Sequence, residues 1–145
     1  MSFPNKPVLL YAEDDMDDFE SLVDALEQLT DKYQIVNAKN GTEVISMLQN
    51  DFAEHHPSVV ILDLNMPLMD GKEVLAWMKS EEEFRHIPVM VFTTSSREED
   101  VRMCQNHKCT FFRKPTLYRD LLHVAQIILD MSNGVTDEHK GVVHL

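Results

Sequence analysis

Short apolar segments alternate with stretches of helical periodicity along the chain, and this alternation constrains the fold more than any other feature. The apolar segments are rich in Val, Ile, Leu or Phe, as expected of strands that are covered on both faces. Between them, apolar residues recur at three- and four-residue steps, which is typical of helices packed on a sheet. The five predicted strands are Val8–Ala12, Gln34–Ala38, Val59–Leu62, Val89–Thr93 and Thr110–Phe112.

This order of elements predicts a single doubly wound α/β domain, a (βα)5 unit with a five-stranded parallel sheet and helices on both faces. Its length of 145 residues fits one domain. A weak helix is predicted over Arg97–Gln105 and a strong closing helix over Leu117–Leu129. We expect residues 1–6 to be a lead, residues 7–131 to form the domain, and residues 132–145 to be a flexible tail whose role the sequence does not indicate.

The net charge of −12 disfavours nucleic-acid binding, because affinity for phosphates needs a basic surface. The apolar runs are far shorter than a membrane span, so no membrane insertion is expected. The first residues lack the apolar stretch of an export signal, and we therefore expect a cytoplasmic protein. In that compartment, Cys104 and Cys109 are interpreted as reduced, half-buried thiols rather than a disulfide.

Acidic residues are concentrated after the first strand, where eight fall within fifteen positions without a Lys or Arg. Most of them are interpreted as a solvated helix face: Asp17, Asp18, Glu20, Asp24 and Glu27. The run Glu13-Asp14-Asp15 is different, because it directly follows a buried strand. In open α/β sheets, ligands bind beyond the carboxyl ends of the strands.

Other polar residues follow the later strands, so they are expected at the same edge of the sheet. Asp63 follows the third strand, Thr93 ends the fourth and Lys114 follows the fifth. Carboxylates gathered this closely repel one another unless a hard cation such as Mg²⁺ lies between them. We therefore predict a metal site that Asp14 and Asp63 share.

Asp63 is also a candidate nucleophile. A carboxylate beside Mg²⁺ can attack a phosphoryl group in line when the charge on the transferring oxygens is neutralised. Lys114 would supply a positive charge and Thr93 a hydroxyl donor for those oxygens.

Several segments of the sequence resemble the receiver domains of two-component response regulators. The resemblance rests on Val8–Asp15, Ile61–Gly71, Thr93 and the pair Lys114-Pro115, and it covers about residues 7 to 131. It implies a flavodoxin-like receiver fold. It also implies that Asp63 accepts a phosphoryl group from a sensor histidine kinase or a histidine phosphotransfer protein.

The resemblance further assigns roles to individual residues. Asp14, Asp63 and the carbonyl of Asn65 would bind Mg²⁺, for which Mn²⁺ could substitute, and Glu13 would act through water. Thr93 and Lys114 would hold the phosphoryl oxygens. Thr93 and Phe111 would be the switch that changes partner affinity on the face made by the fourth helix, fifth strand and fifth helix.

The resemblance implies a signalling domain rather than a metabolic enzyme, catalysing only its own phosphorylation and dephosphorylation. A downstream protein target is expected, and a homodimer through the same face stays open. The kinase and the target are not predicted. Two alternatives are less compatible with the sequence. A phosphatase is disfavoured because Asn65 stands where a second acid is needed, and a degenerate receiver is disfavoured because the acids and Lys114 are retained.

Three parts of the sequence depart from this pattern or stand outside it. The segment Cys104–Cys109 lacks the Gly-Ala pair common before the fifth strand, so Asn106 or another residue must adopt a positive φ. Phe111 replaces the commoner tyrosine. His55 and His56 precede Pro57 and are interpreted as loop residues rather than a metal-binding pair.

Overall fold

The computed structural model describes residues 6–134 and 143–144, and it has alternating strands and helices in the predicted order. Every strand is parallel to its neighbours, and the order across the sheet is β2-β1-β3-β4-β5-β6. The strands are β1 (Val8–Ala12), β2 (Gln34–Ala38), β3 (Val59–Leu62), β4 (Val89–Thr93), β5 (Thr110–Arg113) and β6 (Val143–His144). The helices are α1 (Met16–Leu29), α2 (Gly41–Gln49), α3 (Gly71–Ser80), α4 (Glu98–Asn106) and α5 (Tyr118–Ser132).

The sheet is covered on both faces, because successive strand residues point in opposite directions. Leu9 and Tyr11 pack with residues of α1 and α5 such as Leu22 and Ile128. Leu10 packs on the opposite face, with residues of α2, α3 and α4. This arrangement confirms the doubly wound α/β fold.

Side chains at the helix starts explain why three of the helices begin where they do. Asp15 caps α1 by accepting hydrogen bonds from the backbone N–H groups of Asp17 and Asp18. Asn40 caps α2, and Asp70 forms a capping box with Glu73 at the start of α3. Asp15 closes the short loop after β1, and Asp70 closes the longer loop after β3, so these caps fix the ends of the loops that carry the acidic residues.

The sheet has one strand more than the predicted five. Val143 and His144 pair with Phe111 and Phe112 of β5, and the His144 ring stacks on Phe112 with 3.9 Å between the ring centroids. The expectation of a flexible tail therefore does not hold for these two residues. Residues 135–142 and 145 of the predicted tail, and residues 1–5 of the predicted lead, lie outside the described residues.

The connection between α4 and β5 differs from the expectation in its cysteines. The sulfur atoms of Cys104 and Cys109 are paired as a disulfide, and both side chains are buried. The interpretation as half-buried free thiols is therefore wrong for this structure, because the turn brings their Cα atoms to 5.4 Å. The residue that adopts the positive φ in this turn is Lys108, with φ of 57°.

Candidate functional site

The predicted site residues lie at the carboxyl edge of the sheet. Glu13 follows β1, Asp63 follows β3, Thr93 is the last residue of β4 and Lys114 follows β5. Because the strands are parallel and adjacent, their ends meet at one edge and bring these side chains together. Glu13, Asp63 and Thr93 are all buried.

The ammonium group of Lys114 lies among three carboxylates. Its Nζ donates hydrogen bonds to Glu13 Oε1 at 2.5 Å, to Asp18 Oδ2 at 2.7 Å and to Asp63 Oδ2 at 2.9 Å. Burial alone lowers the pKa of Lys114, but these carboxylates reverse the effect and raise it above its usual value. Lys114 therefore stays charged and neutralises part of the acidic cluster.

Asp18 corrects the sequence interpretation. It was expected on a solvated helix face, yet its carboxylate contacts Lys114. It lies in the first turn of α1, whose N-terminus faces the same sheet edge, and its side chain is 43% exposed. The spacing of the acids alone does not distinguish Asp18 from Asp17, because the contact depends on a lysine that is 96 residues away.

Glu13 has a second buried partner that the sequence did not indicate. Tyr11 Oη donates a hydrogen bond of 3.1 Å to Glu13 Oε1, and the N–H of Asp15 donates to Glu13 Oε2. Burial and the charge of Asp63 raise the pKa of Glu13 to about 7, although Lys114 acts in the opposite direction. Burial also raises the pKa of Tyr11, so its hydroxyl remains a donor. A tyrosine in an apolar strand looks like a core residue, and only the fold shows where its hydroxyl points.

The acidic residues fit a hard divalent cation. Glu13, Asp14 and Asp63 each offer a carboxylate oxygen, and these oxygens lie within 4.8 Å of one another. Asp14 is exposed, so the cluster is open to solvent on that side. Oxygen ligands of this kind, with room for water, suit Mg²⁺ or Mn²⁺. Asn65 is adjacent, because its backbone N–H donates to Asp63 Oδ1 at 3.1 Å.

Thr93 and Phe111 occupy different places relative to this cluster. Thr93 is fully buried at the end of β4, its carbonyl accepts a 2.8 Å hydrogen bond from the N–H of Lys114, and its hydroxyl oxygen accepts one from the N–H of Ser95. Phe111 lies within β5 beside Val91 and is buried in the core. The structure thus joins Thr93 to Lys114 directly, whereas Phe111 lies below the sheet edge.

The sequence did not indicate an ion pair between buried Asp100 and partly exposed Lys72, next to the loop that follows Thr93. Asp100 of α4 is fully buried, and its Oδ1 lies 3.1 Å from Lys72 Nζ at the start of α3. Its Oδ2 accepts hydrogen bonds from Ser95 Oγ at 2.7 Å and from Arg97 Nε at 3.2 Å. Asp100 therefore connects the loop that follows Thr93 to α3.

We expect replacement of Asp100 by asparagine to lower the free energy of unfolding by about 1–3 kcal/mol near neutral pH, since Ser95, Lys72 and Arg97 lose their buried, charged acceptor. Burial raises the pKa of Asp100, but Ser95 and Lys72 outweigh it and hold the pKa below its ordinary value of 3.8. The ionised carboxylate therefore stabilises the fold above pH 3.8, and this contribution disappears as the pH falls through the lower folded-state pKa.

Urea unfolding at neutral and acidic pH measures this effect. The difference in free energy of unfolding between the native chain and Asp100→Asn should become smaller below pH 3.8. Glu99→Gln is the matched control, because Glu99 is exposed in the same helix and should change stability by less than about 0.5 kcal/mol. An Asp100→Asn variant as stable as the control would contradict a structural role for this ion pair.

Comparisons with known proteins agree with this fold. Residues 9–126 match the response regulator receiver domain. Response regulator Rcp1 from Synechocystis sp. is 31% identical over 123 residues, which cover 82% of this chain and 84% of Rcp1. The phosphorylated cyanobacterial phytochrome response regulator RcpA superposes with a TM-score of 0.78 at 26% identity, covering 90% of this chain and 96% of RcpA. The Mn²⁺-bound form of Rcp1 gives 0.75 at 29% identity, covering 86% and 92%.

A parallel α/β sheet with acidic residues and a partly buried lysine at its carboxyl edge is the arrangement that receiver domains share. Because the match spans residues 9–126, the chain belongs to the response regulator receiver domain family. Receiver domains are signalling modules of two-component systems; they bind a divalent metal ion and take phosphoryl groups from donors such as histidine kinases. The family predicted from the sequence is confirmed. Among the residues that the structure describes, no helix is long and apolar enough to cross a membrane.

Proposed function

We propose that this receiver domain accepts a phosphoryl group on Asp63, in a reaction that needs Mg²⁺, from a sensor histidine kinase or a histidine phosphotransfer protein. The observation that carries the proposal is the position of the Asp63 carboxylate. It is 5% exposed at the end of β3, with Lys114 Nζ at 2.9 Å and the carboxylates of Glu13 and Asp14 beside it. A buried acid in this setting has a charged partner and a cation-binding face, which a structural cap does not need.

The two oxygens of Asp63 have different partners. Oδ1 accepts a hydrogen bond from the N–H of Asn65, and Oδ2 accepts one from Lys114. In the proposed reaction an Asp63 oxygen attacks phosphorus, the bond from phosphorus to the donor histidine nitrogen breaks, and the imidazole leaves with the electron pair of that bond. The Lys114 ammonium then has a phosphoryl oxygen available in place of a carboxylate oxygen.

Glu13, Asp14, Asp63 and the carbonyl of Asn65 would hold the metal ion, with Glu13 acting through water. The ion supplies positive charge that offsets the negative charge of the transferring oxygens. Thr93 would donate its hydroxyl to a phosphoryl oxygen. Its hydroxyl oxygen now accepts from the N–H of Ser95, and this bond leaves the hydroxyl proton available for donation.

A phosphorylated Asp63 would bias the domain between two arrangements, since the new group adds charge and acceptor oxygens. We assign the switch to Thr93 and Phe111, and the responding surface to α4, β5 and α5. In this structure β6 pairs with β5, so a target protein on that surface would meet Val143 and His144 as well. The alternative is that two copies of the chain form a homodimer through this same surface.

A cavity of about 290 Å³ beside Lys114 supports docking of the phosphoryl donor near the site. It lies between α1 and the loop before α5, and its lining includes Asp18 and Phe92. Leu117 and Tyr118 at its rim are 49% and 51% exposed, so both can contact a partner protein. We propose that the donor protein covers these two residues.

Intact mass spectrometry tests the proposal. The protein is incubated with Mg²⁺ and either acetyl phosphate or phosphoramidate, whose phosphorus–nitrogen bond resembles that of phosphohistidine. We expect a gain of one phosphoryl group that is absent in Asp63→Asn and in chelator-treated protein. Asp31→Asn, at an exposed loop position, should gain the group as the native chain does. No gain with either donor, with circular dichroism showing an intact fold, would contradict the proposal and favour a degenerate receiver.

A further inference from the structure

Two histidines from different loops meet at the opposite edge of the sheet from Asp63. His56 lies in the loop before β3, and His86 lies in the loop before β4, 30 residues further along the chain. His56 Nδ1 and His86 Nε2 are 3.3 Å apart, with 5.2 Å between the ring centroids. The sequence placed His55 and His56 together as loop residues, but the partner of His56 is His86 and not its neighbour.

The distance between these nitrogens suits a metal ion as well as a shared proton. Zinc binds imidazole nitrogen at about 2.0–2.1 Å in a tetrahedral arrangement, so two such ligands lie about 3.3–3.4 Å apart. As a hydrogen-bonded pair, one ring must be the donor and the other the acceptor. A cation between the rings would instead use the lone pairs of both nitrogens.

The other ring nitrogen of His56 supports the metal-bound form. Nε2 is buried and has no hydrogen-bond partner among the residues that the structure describes. Glu83 Oε1 lies 3.7 Å from it, on a side chain that is 57% exposed and so can approach. Histidines that bind metals usually donate their second N–H to a carboxylate, which fixes the tautomer. With a metal on Nδ1, the proton of His56 is on Nε2 and faces Glu83.

We propose that His56 Nδ1 and His86 Nε2 bind a divalent transition-metal ion, with water at its remaining positions. Imidazole ligands favour Zn²⁺, Ni²⁺ or Cu²⁺ over Mg²⁺, which prefers oxygen, so this site differs in chemistry from the acidic cluster. Two water molecules leave the hydrated ion and two imidazole nitrogens replace them. His86 is exposed, which gives the ion and its waters access from solvent.

The single tryptophan of the chain is a built-in reporter for this site. Trp77 stacks on Phe84 with 5.3 Å between centroids, and Phe84 contacts the His56 ring at 5.2 Å. A paramagnetic ion on His56 therefore lies two ring contacts from the indole and should quench its fluorescence. Cu²⁺ is the probe, added in the presence of saturating Mg²⁺ so that the acidic cluster is occupied.

We expect saturable quenching of Trp77 by Cu²⁺ that is reversed by competing Zn²⁺. His56→Gln and His86→Gln should each raise the half-saturating Cu²⁺ concentration at least about tenfold. His55→Gln is the matched control and should leave it unchanged, because His55 is exposed outside the pair. The proposal would be overturned if the native protein showed no saturable quenching. It would also be overturned if the His56 or His86 variant were quenched at the same Cu²⁺ concentration as the native protein, or if the His55 variant lost the quenching.

Discussion

Replacing Lys114 by methionine is expected to destabilise the metal-free protein by about 3–5 kcal/mol. Methionine keeps much of the side-chain volume but removes the ammonium group that contacts Glu13, Asp18 and Asp63. The loss of one partner from a buried ionic cluster leaves the others uncompensated, which is the costly case. Glu13 and Asp63 dominate this cost, because Asp18 is 43% exposed and solvent screens its charge.

A divalent cation should recover part of this loss. If the acidic residues bind Mg²⁺ as proposed, the ion supplies positive charge where the ammonium was removed, and ligand binding to the folded state adds stability. Mg²⁺ should therefore stabilise Lys114→Met more than it stabilises the native chain. Urea unfolding in chelator and in Mg²⁺ measures both effects.

The control for the Lys114 variant is Lys39→Met, at an exposed position. It should change the free energy of unfolding by less than about 0.5 kcal/mol in either condition. A Lys114→Met protein that is as stable as the native chain in chelator would contradict the role of Lys114 as the charge that compensates these carboxylates.

Replacing Gly71 by alanine is the second large effect that we expect, with a loss of about 3 kcal/mol and weaker Mg²⁺ binding. A Cβ at this position would lie 2.2 Å from the carbonyl oxygen of Asp63 and 2.9 Å from Leu64 Cα. Both are backbone atoms, which cannot move aside as a flexible side chain can, so the cost lies at the upper end for overpacking. The loop that positions Asp63 must shift, and the acidic cluster shifts with it.

Gly134→Ala is the control for Gly71→Ala, because it adds backbone strain without a steric clash. A Cβ at Gly134 meets no atom within 4 Å, but its φ of 82° disfavours alanine, so a loss of about 1 kcal/mol with unchanged Mg²⁺ affinity is expected. Calorimetric titration with Mg²⁺ and urea unfolding measure both variants. If Gly71→Ala bound Mg²⁺ as tightly as the native chain, the close packing of α3 against Asp63 would not matter for the site.

The strands were predictable because each is a short apolar run between polar segments. Three of the predicted runs begin with a valine directly after a proline or a serine, and β1 to β4 have the predicted bounds. The two-residue strand β6 could not be found this way, because a pair of residues shows no periodicity. It exists through its pairing with β5 and the stacking of His144 on Phe112.

The positions of the candidate site residues at the strand ends were predictable from the sequence, whereas the side-chain contacts around them were not. Asp63 and Lys114 follow apolar strands, so topology alone places them at one edge. The contact of Asp18 with Lys114, the hydroxyl of Tyr11 on Glu13 and the burial of Asp100 each depend on side-chain directions across elements distant in sequence. Acids and tyrosines at helical or strand positions have common alternative roles, and only tertiary packing distinguishes them.

The most direct test of the central claim is chemical location of the phosphoryl group. The protein is treated with Mg²⁺ and phosphoramidate and then reduced with borohydride, which converts an aspartyl phosphate to homoserine. Peptide sequencing by mass spectrometry then locates the converted residue, with chelator-treated protein as the control. We predict homoserine at position 63 only, and only with Mg²⁺. Homoserine at Asp14 or Asp18, or an Asp63 that remains unmodified while the protein gains phosphate, would contradict the account.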